Sequence, residues 1–156
     1  MKFIVLAVVI AIAIFYFNRN SNNKKLAIEN TAVGKEFLVN NKTNQDVVET
    51  ASGLQYQILQ KGNGDEHPKA NSTVKVHYHG MLIDGSVFDS SVDRGEPISF
   101  PLNQVIPGWT EGVQLMVVGD KFKFFIPADL AYGDRATGKI TPGSLLIFEV
   151  ELLEIQ

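Results

Sequence analysis

A chain of 156 residues, 45% of them hydrophobic, can bury one sizeable core and carry an appendage besides. It contains no cysteine, which excludes disulfides, thiolate metal sites and thiol nucleophiles. The net charge of −3 offers nothing to nucleic acid, and from Ala51 onward 8 Lys/Arg face 13 Asp/Glu, a net of −5.

The amino end has a different balance. Lys2, Arg19, Lys24 and Lys25 flank Phe3 to Phe17, an unbroken apolar run of 15 residues. A charged start before an apolar middle is the layout of an export signal. The segment that follows, Phe15-Tyr16-Phe17-Asn18-Arg19-Asn20, is bulky and polar and offers no small-x-small cleavage site. The run is shorter than the ~20 residues of a full membrane span, but its terminal aromatics suit a membrane interface. The expectation is therefore an uncleaved hydrophobic helix anchoring the chain through residues 3–17, with the domain facing the periplasm or cell exterior. A secreted or periplasmic protein released by cleavage is the alternative.

Asn18 to Lys25 reads as a solvated spacer completing a segment 1–25. Residues 26–50 read as a linker with a short helix that Gly34 weakens. A folded domain is expected over 51–156.

From Gln45 the pattern has a period of two. Leu54, Tyr56 and Ile58 alternate with Gln55, Gln57 and Leu59, predicting an amphipathic strand whose glutamine face is the outer one. Lys61-Gly62-Asn63-Gly64-Asp65 is a turn, without the spacing or following helix of a phosphate loop. Thr73 to Gly80 is the next strand, with Val74, Val76 and Tyr78 on one face and Lys75, His77 and His79 on the other. The two histidines raise a metal site, but no third ligand stands at a suitable spacing, which leaves a solvated strand face. Asp84-Gly85 marks a hairpin leading into Val87-Phe88. Serine, aspartate and histidine all occur here, yet there is no Gly-x-Ser-x-Gly elbow to support a hydrolase. Asp89 is better explained as the partner of Arg94, the two orienting each other at the rim of a pocket.

Val105-Ile106-Pro107-Gly108-Trp109-Thr110-Glu111-Gly112-Val113 sets the only tryptophan at the start of a short helix, with Pro107 suited to its first turn. Trp109, Val113 and Met116 share a face, and Gly112 is expected to leave room beside the indole. An isolated tryptophan is most simply core. Here aromatic-rich strands on both sides allow it to floor an apolar pocket. Lys121 to Ile126 alternates, with Phe122, Phe124 and Ile126 inward, and Ala128 to Gly138 is an irregular loop holding Tyr132. Leu145 to Ile155, apolar on both faces, predicts a central strand covered on both sides. Antiparallel strands with one packed helix make an α+β domain.

Taken in order, Val76-His77-Tyr78-His79-Gly80, Asp84 to Ser91, Val105 to Gly112, Ala131-Tyr132-Gly133 and Leu145 to Leu153 resemble the FKBP-type peptidyl-prolyl cis–trans isomerases, the macrolide-binding immunophilins. The lead-in Thr50 to Tyr56 is similar to the bacterial secreted and surface branch. The resemblance implies an antiparallel five-stranded half-barrel wrapped around one short helix, with the pocket between them. It implies catalytic roles for Asp89, Tyr132, Ile106 and Trp109. Substrate would be held by Tyr78, Phe88, Arg94, Ile98, Val105, Ile140 and Phe148. Ile98 stands where many relatives carry an aromatic, and Phe100 follows two residues later. The late loop reads Lys139-Ile140-Thr141-Pro142 where the family usually has Ile-Pro-Pro. No cofactor or metal is implied. Partners would be proline-containing polypeptides and macrolides of the rapamycin type. Only a remnant of that branch's dimerisation helix precedes Gln45, so a monomer is the expectation.

Overall fold

The computed structural model describes residues 2–156, with side chains from residue 5 onward; Met1 of the charged start lies outside the described residues. Helix α1 (Lys2–Asn41) is followed by strands β1 (Val47–Glu49), β2 (Gln55–Gln60), β3 (Thr73–Met81) and β4 (Val87–Ser90). After the short helix α2 (Ser91–Arg94) come β5 (Ile98–Pro101), helix α3 (Pro107–Val113), β6 (Lys121–Ile126) and β7 (Leu146–Ile155). One antiparallel sheet runs β1-β2-β6-β7-β3-β4, with β5 also paired to β3. The expected five-stranded sheet around α3 is present. β4 and β5 lie along the same edge of β3, at Met81–His79 and Val76–Thr73 respectively, separated by α2, and β1 adds a further short edge.

The inner face is read from its alternation. β3 buries every second residue, Val74, Val76, Tyr78 and Gly80, and β6 turns Phe122, Phe124 and Ile126 inward. They pack on Trp109, Val113 and Met116, which share one buried face as their spacing predicts. Gly112 makes room elsewhere than expected: a Cβ there would stand 2.7 Å from Phe124 Cε1, so this glycine admits the Phe124 ring rather than the indole. β7 lies between β6 and β3.

The larger correction concerns α1. The segment read as a solvated spacer, 18–25, is helical and joins the apolar run to the docked segment in one 40-residue helix. Helix extension adds a hydrogen bond for each residue ordered, so two helical flanks carry a polar stretch between them. Gly34, read as a weak point, is instead a contact: a Cβ there would lie 3.2 Å from Leu145 Cβ. Ala27, Asn30, Gly34, Phe37, Leu38 and Asn41 recur at helical spacing and form the side of α1 turned to the sheet. The aliphatic and aromatic side chains from Val5 to Phe17 are exposed.

Because α1 covers the outer face at this end, Gln55 does not point to solvent as its period suggests. It is fully buried, donating to the Leu38 carbonyl (2.9 Å) and Glu49 (2.8 Å) and accepting from Asn41 (2.9 Å). Phe125 is buried for the same reason, 5.8 Å from the Phe37 ring.

Candidate active site

A cavity of about 610 Å³ opens between α3, β3, β4 and the loop after β6. Its floor is the Trp109 indole. Trp109 is only 4% exposed, so the core and floor readings both hold. Three rings stand edge-on to it: Phe148 at 5.3 Å, Tyr78 at 5.5 Å and Phe100 at 5.6 Å, each with an interplanar angle of 82°. Edge-to-face packing satisfies the ring quadrupoles and holds the indole in one orientation. The Trp109 Nε1–H is buried with no protein acceptor among the described residues.

Phe88 packs edge-on to Phe148 at 5.3 Å. This corner depends on Gly80, which periodicity alone did not single out. A Cβ there would come within 2.7 Å of both the Phe88 ring and the Phe148 ring.

The rim carries the polar groups. Asp84 accepts from the Ser86 N–H, and Gly85 adopts φ +84°, closing the hairpin that delivers β4. Ser90 caps α2 by accepting from the Asp93 N–H (3.1 Å), and Gly95 ends it with φ +73°. This one-turn helix returns Arg94 towards Asp89. The Tyr78 hydroxyl donates to Asp89 Oδ2 (2.6 Å), Arg94 Nη1 to Asp89 Oδ1, and Arg94 Nη2 to the Tyr78 oxygen (3.0 Å). The predicted Asp89–Arg94 pair is thus one side of a closed triangle. Burial pushes the Asp89 carboxyl up, but the bonds from Tyr78 and Arg94 outweigh it and hold it below the usual carboxylate range. Burial, then the neighbouring Asp89, push the Tyr78 hydroxyl above its ordinary value. Both groups therefore stay in their hydrogen-bonding forms near neutrality.

Ile106 immediately precedes α3, with φ −58° and ψ 148°, and its carbonyl accepts from Trp109 and Thr110. Its own N–H donates to no protein acceptor among the described residues. Tyr132, 39% exposed, stands on the cavity wall with Val105 and the buried Ile140.

All the residues assigned from the resemblance line this cavity except Arg94 and Ile98. Arg94 lies outside the lining and is hydrogen-bonded to Asp89 and Tyr78, which line the cavity. Ile98 packs against the core opposite Val76 instead. Phe100, two residues along the same face of β5, reaches the cavity. Gln104, Thr137, Gly138 and Lys139 also line it, and no local pattern marked them. His77 and His79 lie outside the cavity, their Nδ1 atoms 2.9 Å from Ser91 Oγ and 2.8 Å from Ser90 Oγ.

The family described as FKBP-type peptidyl-prolyl cis-trans isomerase matches residues 64–153, and the domain amino terminal to it matches residues 9–58. The chain is 59% identical over 132 residues to the FKBP-type peptidyl-prolyl cis-trans isomerase FkpA of Aeromonas hydrophila, an alignment covering 85% of this chain and 49% of that one. It is 47% identical over 139 residues to the outer membrane protein MIP of Legionella longbeachae, covering 88% and 59%. The crystal structure of FkpA from Escherichia coli superposes with a TM-score of 0.91 at 42% identity, covering 98% of this chain and 71% of that one. The chain thus spans about half the length of the curated relatives it matches.

Proposed function

This chain belongs to the family of FKBP-type peptidyl-prolyl cis–trans isomerases, and we propose that it accelerates rotation about X–Pro bonds in exported polypeptides. Amide resonance sets a barrier of ~18–20 kcal/mol, and the uncatalysed event takes on the order of 10–100 s. No covalent bond is broken, so the demand on the site is differential binding. The twisted amide has lost conjugation and carries less charge on its carbonyl oxygen. An apolar enclosure therefore disfavours the planar amide more than the twisted one.

One observation carries the reading: an aromatic cavity floored by Trp109, with the Ile106 N–H, without an acceptor among the described residues, and the Tyr78–Asp89–Arg94 triangle at its edge. The proline ring would rest on the indole, between Tyr78, Phe88 and Phe148. The Ile106 N–H and the Tyr132 hydroxyl would donate to carbonyls flanking the proline. Asp89, held as a carboxylate, would stand near the rotating carbonyl. Val105 and Ile140 would close the walls. The same apolar cup suits macrolides of the rapamycin type.

α1 supports an anchor through residues 3–17: it is long and apolar enough to cross a membrane, and a relative is named an outer membrane protein. We propose that the domain faces the periplasm or exterior as a monomer; an export signal removed by cleavage is the second reading of the same run.

A protease-coupled proline-peptide assay tests the activity. Turnover abolished by a rapamycin-type macrolide, with quenching of Trp109 fluorescence, is the expected result. Peptide binding without turnover would instead make the domain a proline-chain holder.

A further inference from the structure

The loop that carries Tyr132 and Ile140 is fastened both within itself and to α1. Its two legs are joined by the Gly143 N–H to the Gly133 carbonyl (2.8 Å), and its tip by paired bonds between Thr137 and Ile140 (2.9 Å each). Outside the loop, the returning leg packs Ile140 into the main core and Leu145 beside Phe125 and Ile147, while among the described residues its hydrogen bonds go to α1. Asn30 Nδ2 donates to Thr141 Oγ1 (3.1 Å) and to the Pro142 carbonyl (2.8 Å). One helical turn earlier, Gly143 lies directly on the α1 backbone with φ +74°; a Cβ there would stand 2.3 Å from the Ala27 carbonyl oxygen. One turn later, Gly34 meets Leu145. Asn30 thus ties the foot of the loop to the helix by hydrogen bonds to the two residues that follow Ile140 of the cavity wall. This is the stretch whose Thr141-Pro142 sequence departs from the usual family pattern.

We propose that Asn30 is a positioning residue of the candidate active site, setting substrate affinity by fixing the loop that presents Ile140 and Tyr132. The proposal rests on the isomerase reading. It also makes α1 part of the catalytic module rather than only a tether. A loop fixed before substrate arrives need not be ordered on binding, so its release lowers apparent affinity in proportion to the fraction of competent loop remaining. The chemistry over Trp109 and at Asp89 is left intact.

The test uses the full chain, as wild type, Asn30→Ala and Thr141→Val, with Ile28→Ala on the exposed side of α1 as control. Asn30→Ala is expected to raise KM for proline peptides about three- to tenfold, the range of one or two lost hydrogen bonds, with kcat within about twofold. Amide exchange at residues 137–140 should quicken while β3 and β6 keep their protection. Thr141→Val keeps the bond from Asn30 to Pro142 but loses the contacts of the Thr141 hydroxyl with both Asn30 and Ser144, and should shift the same quantities in the same direction; Ile28→Ala should move none of them. Unchanged KM in Asn30→Ala, or exchange rising equally across the sheet, overturns the proposal. A wild type without turnover refutes the isomerase reading instead, and loop exchange with macrolide affinity then decides the role of Asn30.

Discussion

On the inner face of the sheet, Val74, Val76, Phe122, Phe124, Ile126 and Val150 meet α3 in one continuous core. On the outer face, Phe125, Leu145 and Ile147 meet a single side of α1 through Phe37 and Leu38. Beyond the reach of α1, the outer face carries His77, His79, Lys121, Glu149 and Glu151 in cross-strand register. The inner face encloses the cavity and carries the aromatic floor. The outer face holds the helix that steadies one cavity wall. Losses on the inner face should therefore reach stability and binding together, and losses on the outer face should separate them.

Trp109→Ala is the strongest way to break the inner face. Removing a buried aromatic costs about 3–5 kcal/mol, and macrolide binding and turnover should vanish with it. Denaturant unfolding and the peptide assay measure both. A folded variant with full activity would refute the cavity assignment. Gly80→Ala drives a methyl into Phe88 and Phe148, with an overpacking cost of about 1–3 kcal/mol. Its activity should fall further than its stability alone explains, seen by comparing kcat/KM at temperatures where the fold is intact. Asp89→Ala and Tyr132→Phe each remove one orienting hydrogen-bond group, for about ten- to a hundredfold in kcat/KM; Tyr132, more exposed, belongs at the lower end.

Phe37→Ala tests the other side. Losing a half-buried ring against Phe125 should cost about 1–2 kcal/mol of stability, while kcat/KM stays near that of the parent. A large loss of activity there would join the two faces more tightly than the packing implies. The smallest effect is that of pH. The Asp89 carboxyl is held below its ordinary value, so it stays ionised where a free carboxylate would begin to protonate, and its contribution to kcat/KM fades only as pH falls through that lowered pKa. A kcat/KM profile with an acid limb that Asp89→Asn removes is the expected outcome.

How much was legible follows the same division. The alternation on β3 and β6, the hairpin at Asp84-Gly85, the helix opened by Pro107 and the Asp89–Arg94 pair all depend on residues within a few positions of each other. Ile98 and Phe100 share a strand face, and the period could not say which of them reaches the cavity. The strand period points Gln55 outward and helix propensity makes Gly34 a weak point, because the contacts that bury them lie in distant segments. Gln55 is bonded to Leu38, Asn41 and Glu49; Gly34 lies against Leu145.

Local pattern by itself determined which side chains form the inner face, where the tryptophan helix begins and which aromatics could gather around the indole, since burial on one face imposes a period that no distant contact alters. Only the tertiary structure decided that α1 is one unbroken helix lying against the outer face, that a glutamine is buried beneath it, and that Asn30 holds the foot of the cavity loop. Those outcomes turn on what a remote segment covers or bonds, and the period of a strand carries no information about its cover.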